Sequence, residues 1–260
     1  MAVTNFIQQI WSKKIQDDLE LKCKLVDNCL RDYEGDCKYA QSVKILGVGE
    51  PTIGDYTGAD ITIEEMSDRG QILTIDQAKY FAFYVDDIDQ AQSVPGLAEK
   101  YQEKAVHGLA VARDTYVATL IASASNKTPV TMTVEGFKTG VDAAIVALRE
   151  RNFDEEGVIE ITPAGYNLFK NHLITLSTNN PEYIKKGIVG MYDNMEVIMS
   201  NNLKTPGCVR GKKAIAFAGQ INEVEALRAE KKFKDIVRGL DTFGAKIIDE
   251  NRIQVLNASV

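Results

Sequence analysis

One stretch restricts this chain more than any other. From Gln71 to Asp89 the sequence alternates with a period of two, far beyond an ordinary strand of ~5–6 residues. Leu73, Ile75, Phe81, Phe83 and Val85 fall on one parity, and Thr74, Asp76, Ala78 and Tyr84 on the other. At ~3.4 Å per residue, fifteen such residues reach roughly 50 Å, wider than a compact domain needs. A ribbon of that length, running on into a long helix, predicts an arm that reaches toward a neighbour.

The residues before the ribbon predict its partner. Val43 to Leu46 starts a strand, Pro51 to Tyr56 continues it past Gly47-Val48-Gly49, and Gly58 to Gly70 turns the chain back. The region from Tyr39 to Val85 therefore reads as one extended hairpin, weakened by its glycines. Its distal half carries Glu50, Asp55, Asp60, Glu64, Glu65 and Asp68 against the single base Arg69. A solvated acidic loop and a tip that docks on a basic surface both fit that composition. Upstream, Phe6, Ile7, Ile10, Trp11, Ile15, Leu19, Leu21 and Leu25 follow a loose three-to-four spacing, so residues 2–38 read as an arm plus a helix.

Downstream, Leu97, Tyr101, Ala105, Leu109, Ala112, Tyr116 and Leu120 mark one face of a helix from Leu97 to Ala122. About 26 residues at 1.5 Å each make a rod of roughly 39 Å. The polar break Ser123 to Pro129 is the best candidate boundary. An α/β pattern follows: a helix marked by Val134, Phe137, Val141, Ala144, Ile145 and Leu148, a short strand Val158 to Ile161, and a helix begun by Thr162-Pro163. Gly187 to Met191 and Met195 to Ser200 flank Tyr192-Asp193-Asn194 as a hairpin. Ala214 to Ala218 is a strand, Asp235 to Ile248 a second long ribbon, and Ile253 to Leu256 a last strand. Lys231, Lys232, Lys234 and Arg238 cluster where that ribbon begins and are the natural counterpart of the acidic tip.

Composition removes several function classes. The 260 residues carry a net charge of −7, which argues against a dedicated nucleic-acid binder. No apolar run reaches the ~18 residues that a membrane span needs, and the start Met1 to Phe6 lacks the pattern of a secretion signal. Cys23, Cys29, Cys37 and Cys208 are spaced too widely for a Cys-x-x-Cys knuckle, and His107 and His172 are the two histidines of the chain. Buried, reduced thiols are expected rather than a metal site. Gly47-Val-Gly-Glu-Pro-Thr-Ile-Gly lacks the Gly-Lys-Ser/Thr ending of a phosphate loop and precedes no helical pattern. Neither a Gly-x-Ser-x-Gly elbow nor a His-Glu-x-x-His motif occurs. Asp86/Asp87 and Glu155/Glu156 sit at turns or element ends, where solvated charge is the ordinary explanation.

Several segments, in order along the chain, resemble tailed-phage major capsid proteins. They are Met1-Ala-Val-Thr-Asn-Phe-Ile-x-x-Ile-Trp11, Arg31-Asp-Tyr-Glu-Gly35, and Leu73-Thr-Ile-Asp-Gln-Ala-Lys-Tyr-Phe-Ala-Phe83 with Val85-Asp-Asp-Ile-Asp89. Gly190 to Leu203, Ala214 to Ile221, Glu223 to Arg228 and Val237 to Lys246 complete the set. The resemblance implies an α+β fold, the capsid fold named for phage Hong Kong 97. Its parts would be an N-terminal arm at 1–38 and an extended β-hairpin loop at 39–85. A peripheral domain with a long spine helix would take 86–128 and 210–260, and an axial domain 129–209.

The implied function is self-assembly, as hexamers and pentamers, into an icosahedral shell that encloses double-stranded DNA without reading its sequence. It implies no enzyme activity and no catalytic, cofactor or metal site. A portal protein and a decoration protein would be its partners in the virion, with assembly in the host cytoplasm. Met1 lies close to the matched arm, so a separate scaffolding protein is expected. The expected inter-subunit residues are Phe6, Ile10 and Trp11 in the arm, Glu64, Glu65, Asp68 and Arg69 at the tip, and Lys231, Lys232, Lys234 and Arg238 opposite. The rivals are a nanocompartment shell of the same fold that encloses cargo enzymes and, in another class, a soluble α/β hydrolase or transferase with a carboxylate site. Some members of the resembled family crosslink their subunits through a lysine of the extended loop. Here no lysine lies between Lys44 and Lys79. Mature particles are therefore expected to run as a single monomer band on a denaturing gel, and a covalent ladder would refute this.

Overall fold

A computed structural model describes residues 23–33, 42–45, 70–86, 97–176, 190–228 and 234–258. The strands are β1 (Ser42–Ile45), β2 (Gln71–Thr74), β3 (Gln77–Asp86), β4 (Lys127–Val130), β5 (Gly157–Ile161), β6 (Met191–Tyr192), β7 (Met195–Met199), β8 (Gly207–Gly211), β9 (Ile215–Arg228), β10 (Lys234–Ile247) and β11 (Ile253–Ala258). The helices are α1 (Leu97–Ser123), α2 (Val134–Arg149) and α3 (Pro163–Leu176). Three sheets form. β1 and β2 make an antiparallel pair, β3–β10–β9 a three-stranded antiparallel sheet, and β4–β11–β8–β5–β7–β6 a mixed six-stranded sheet. Among the described residues, no helix is long and apolar enough to cross a membrane.

The helical stops and starts follow from local chemistry. Thr133 caps α2 by accepting from the Gly136 amide, and Thr162 does the same for Gly165 ahead of Pro163. Asp193 and Asn194 both have positive φ, 50° and 64°. They form the two-residue loop that joins β6 to β7, a geometry that suits the twist of the flanking strands. Phe137, Val141, Ala144, Ile145 and Leu148 of α2 and Phe169 of α3 pack against Ile159, Ile161, Val209 and Leu256 of the six-stranded sheet to form one core. A second core lies between α1 and the β9–β10 ribbon, and reaches β8, β11 and residues 23–29.

Three expectations from the sequence are corrected. The long ribbon is two strands, because the chain breaks at Ile75-Asp76. β2 returns along β1, with Ile45 opposite Gln71 and Ser42 opposite Thr74, whereas β3 leaves the hairpin and pairs with β10. The cause is a crossing of backbones at Gly244: a Cβ there would stand 2.2 Å from the Thr74 carbonyl oxygen and 2.9 Å from the Ile75 Cα. The Tyr116 hydroxyl donates to Asp76 across the break at 2.8 Å. Burial and that carboxylate together push the phenol pKa up to about 12.

The buried face of α1 is also rotated from the one expected. It runs through Gln102, Val106, Leu109, Ala110, Arg113, Asp114, Val117, Ala118 and Ile121, whereas Tyr116 and Leu120 flank it and Tyr101 is exposed. Two charged residues at its centre mislead any reading that counts apolar positions. Finally, the helical stripe does not extend through Leu25 as expected: residues 23–33 are not α-helical, and the rest of the range expected to hold an arm and a helix lies outside the described residues. Residues 23–33 make a short 3₁₀ turn, Val26–Asn28, and then a β-bridge from Leu30 to Ala216.

Two outcomes test this packing. Replacing Gly244 with Ala should cost about 1–3 kcal/mol of stability by overpacking a backbone crossing, measured by urea unfolding. Arg113 makes a bidentate pair with buried Asp241, Nε to Oδ2 being 2.9 Å, and its guanidinium lies over the Phe217 and Phe243 rings. Arg113→Met strands the carboxylate and should cost roughly 3–5 kcal/mol, whereas adding Asp241→Leu should recover much of the loss.

Candidate assembly surface

The three-stranded sheet has two faces of different fate. Phe81, Phe83, Val237 and Phe243 turn toward α1 and its core, with Phe83 against Tyr101 at 5.7 Å between ring centroids. The other parity faces out. The register places Ala82 beside Arg238 and Tyr80 beside Leu240, with Glu225 on the far side of Arg238. Tyr80 is 80% exposed, Tyr84 66% and Leu240 40%. Single exposed apolar residues are ordinary, but neighbouring ones on one sheet face mark an interaction surface. Between them runs an open groove of about 380 Å³, lined by Tyr80, Phe81, Ala82, Glu225, Arg238, Gly239 and Leu240.

The charge at the groove is paired within the chain. Arg238 Nε donates to Glu225 Oε2 at 2.7 Å, on an exposed strand face. Such a pair orients the guanidinium but contributes only ~0–1 kcal/mol to stability. Lys234 opens β10 opposite Asp86, four residues before Arg238. The expected contact residues Phe6, Ile10, Trp11, Glu64, Glu65, Asp68, Arg69, Lys231 and Lys232 lie outside the described residues. Lys234 and Arg238 thus share a strand with the groove, but Arg238 already has a carboxylate partner.

The apolar part of this surface is absent from the expected contact residues. Its signal was present in the sequence: the outward parity of β3 reads Ala78, Tyr80, Ala82 and Tyr84, which is not the polar set that a solvated face carries. The candidate chemical residues resolve differently. His107 is exposed on α1, and Glu155 and Glu156 pair with Arg252 and Lys212. Cys23, Cys29 and Cys208 are free buried thiols, and burial raises the pKa of each. Cys37 lies outside the described residues.

Behind the surface, the spine helix holds the chain that precedes it. Asp114 of α1 accepts the amides of Lys24, Leu25 and Val26 at 3.0, 3.1 and 3.3 Å. Burial pushes its carboxyl up, opposed by those three donors. Arg210 of β8 is fully buried and pairs with Glu160 of β5, Nε to Oε2 being 3.0 Å. It also donates to the carbonyls of Asn28 and Leu25 at 2.6 and 2.9 Å.

No family model and no curated protein match the chain. Solved structures do. The chain is similar to a structure from Mycobacterium phage Che8 at a TM-score of 0.76 and 24% identity, over 90% of this chain and 91% of that one. The capsid structure of the cyanophage P-SCSP1u gives 0.72 at 17% identity, over 85% and 84%. A virus-like particle from Pyrococcus furiosus gives 0.61 at 13% identity, over 96% and 99%. The α+β architecture of spine helix, long antiparallel ribbon and helix-covered mixed sheet is thus the Hong Kong 97-like fold of phage capsids.

Proposed function

We propose that this chain is the major capsid protein of a tailed double-stranded DNA phage or prophage, a shell subunit that self-assembles into the icosahedral head. The observation that carries the reading is the fold likeness to phage structures over 90% and 85% of the chain, the second of them a capsid by its own description. In this reading residues 1–38 are the arm, 39–85 the extended hairpin region, 86–128 with 210–260 the peripheral domain, and 129–209 the axial domain. The subunit meets copies of itself in hexamers and pentamers, a scaffolding protein during assembly in the host cytoplasm, and a portal and decoration protein in the virion.

Closed shells are set by geometry repeated over many modest contacts. The acidic tip of one hairpin, with Glu64, Glu65 and Asp68, docks on the Lys231, Lys232, Lys234 and Arg238 region of the next subunit. Because Arg238 is exposed and already faces Glu225, such contacts steer encounter and register more than they add affinity. Apolar groups carry more of the binding: Phe6, Ile10 and Trp11 of the arm, with Tyr80, Tyr84 and Leu240 on the sheet face.

Charge reversal at Glu64, Glu65 and Asp68 should lower shell yield and alter its dependence on salt. Unchanged yield and salt response would sink the docking scheme while leaving the shell reading intact. The likeness to a virus-like particle supports a second reading, a shell around protein cargo. Negative-stain microscopy of purified protein, with and without a scaffolding partner, should show shells or capsomers. Nuclease-protected double-stranded DNA inside assembled particles is the expected content, and protein cargo in its place decides for the second reading. A persistent small monodisperse species would overturn both.

A further inference from the structure

Residues 23–30 are held in an unusual way. Strands and helices satisfy their backbone groups with one another, but this segment takes five of its backbone partners from two distant side chains. Asp114 receives three consecutive amides, Lys24 to Val26, and Arg210 gives to two carbonyls, Leu25 and Asn28. The attachments to backbone outside the segment are those of the short bridge, Leu30 N to Ile215 O at 2.8 Å and Phe217 N to Leu30 O at 2.9 Å, among the described residues. The remaining bonds close the local turn, such as Cys29 N to Val26 O at 2.9 Å.

The two side chains come from different parts of the fold. Asp114 is on the spine helix, and Arg210 is on the six-stranded sheet, where Glu160 fixes it from the neighbouring strand. Asn202, in the connection after β7, reaches Asp114 from the same side, and Lys24 Nζ donates to the Met199 carbonyl. Leu25, Val26, Cys23 and Cys29 fill the space between α1 and β8. The segment is therefore a tie between the spine helix and the six-stranded sheet, and also the point from which the preceding 22 residues depart.

We propose that residues 23–30 form a clasp that opens as a unit ahead of global unfolding, with Asp114 and Arg210 as the positioning residues that fix the root of the N-terminal segment. Its physical basis is concentration of support. One carboxylate holds three amides, so a single change releases three backbone attachments at once, whereas β8 keeps its ladders to β5 and β11. The clasp contains its own reporters. Cys23 and Cys29 are buried with their thiol pKa values raised to about 12 and about 11, so they react with alkylating reagents only after opening restores exposure and ordinary acidity.

The inference does not rest on the assembly reading, because its test is made on the chain by itself. Full-length protein and its Asp114→Ala variant, which removes all three acceptor contacts, are compared by hydrogen exchange and by N-ethylmaleimide labelling with peptide mapping. The variant should accelerate exchange over 23–30 and labelling of Cys23 and Cys29 by about ten- to a hundredfold, while exchange over 157–161 and 207–211 stays unchanged. Acceleration of all three regions together, or of none, overturns the proposal. Should the variant fail to fold, wild-type exchange in low urea decides the matter. Clasp amides must then exchange through an opening less dependent on urea than that of the β8 amides, and one shared dependence overturns the clasp.

Discussion

The structure depends on a guanidinium that has no water to fall back on. Arg210 is fully buried, and so is its partner Glu160. Taking both ions out of water costs several kcal/mol each, and their mutual attraction offsets this only when the remaining hydrogen-bonding capacity is used. Here it is used by the carbonyls of Leu25 and Asn28, which a regular helix or strand would have engaged elsewhere. The charge on the six-stranded sheet thus dictates the irregular path of residues 23–30, and Asp114 completes that path from the spine. Sheet, spine and N-terminal segment share one polar centre inside an apolar core.

A second buried pair does a parallel job from the adjacent position of α1. Arg113, adjacent to Asp114, turns to Asp241 on β10, and Phe217 and Phe243 lie beneath its guanidinium. Consecutive residues of the spine therefore grip opposite neighbours: Arg113 the long ribbon, Asp114 the segment at 24–26. Near Asp241 the pairing of β10 with β9 shifts between Leu240 and Asp241. That irregularity follows the outward groove residues Arg238 and Leu240, so the buried pair and the exposed surface are settled within three positions of one strand.

Much of this was legible from residues alone, and the failures share a cause. Periodicity locates α1 within a residue at its end, and local chemistry locates the Thr162-Pro163 start and the turn at Tyr192-Asp193-Asn194, of which Tyr192 in fact belongs to β6. The phase of α1 was missed because Arg113 and Asp114 occupy positions that the apolar pattern assigns to solvent, and charge reads as surface unless its partners are known. Those partners lie about ninety to one hundred and thirty residues away in sequence. The break at Ile75-Asp76 was hidden for the same reason: alternation continues through it, with Leu73 buried and Ile75, Phe81 and Phe83 half-buried on one parity, while the crossing that forces it comes from Gly244. The outer groove is legible in principle, since Tyr80 and Tyr84 interrupt the polar parity, but alternation points first to the buried half of the strand.

The break also changes what the hairpin can transmit. Had Gln71 to Asp89 been one strand, bending of the hairpin would have been resisted along a continuous ladder. Instead the hairpin root ends at Thr74 and is fastened by separate contacts: Tyr116 to Asp76, Lys246 Nζ to the Ile72 carbonyl at 3.0 Å, and Gln71 Nε2 to the Ile248 carbonyl at 3.0 Å. One of these is to the spine and two are to the end of the long ribbon or just past it. Val43, Ile45 and Leu73 meanwhile pack on Ala216 and Ala218 of β9. The root of the hairpin thus touches Tyr116, two positions along the spine from Asp114, and the strand β10 that also lines the outer groove. The hairpin root, the exposed sheet face and the buried charges are therefore linked through two elements, α1 and β10.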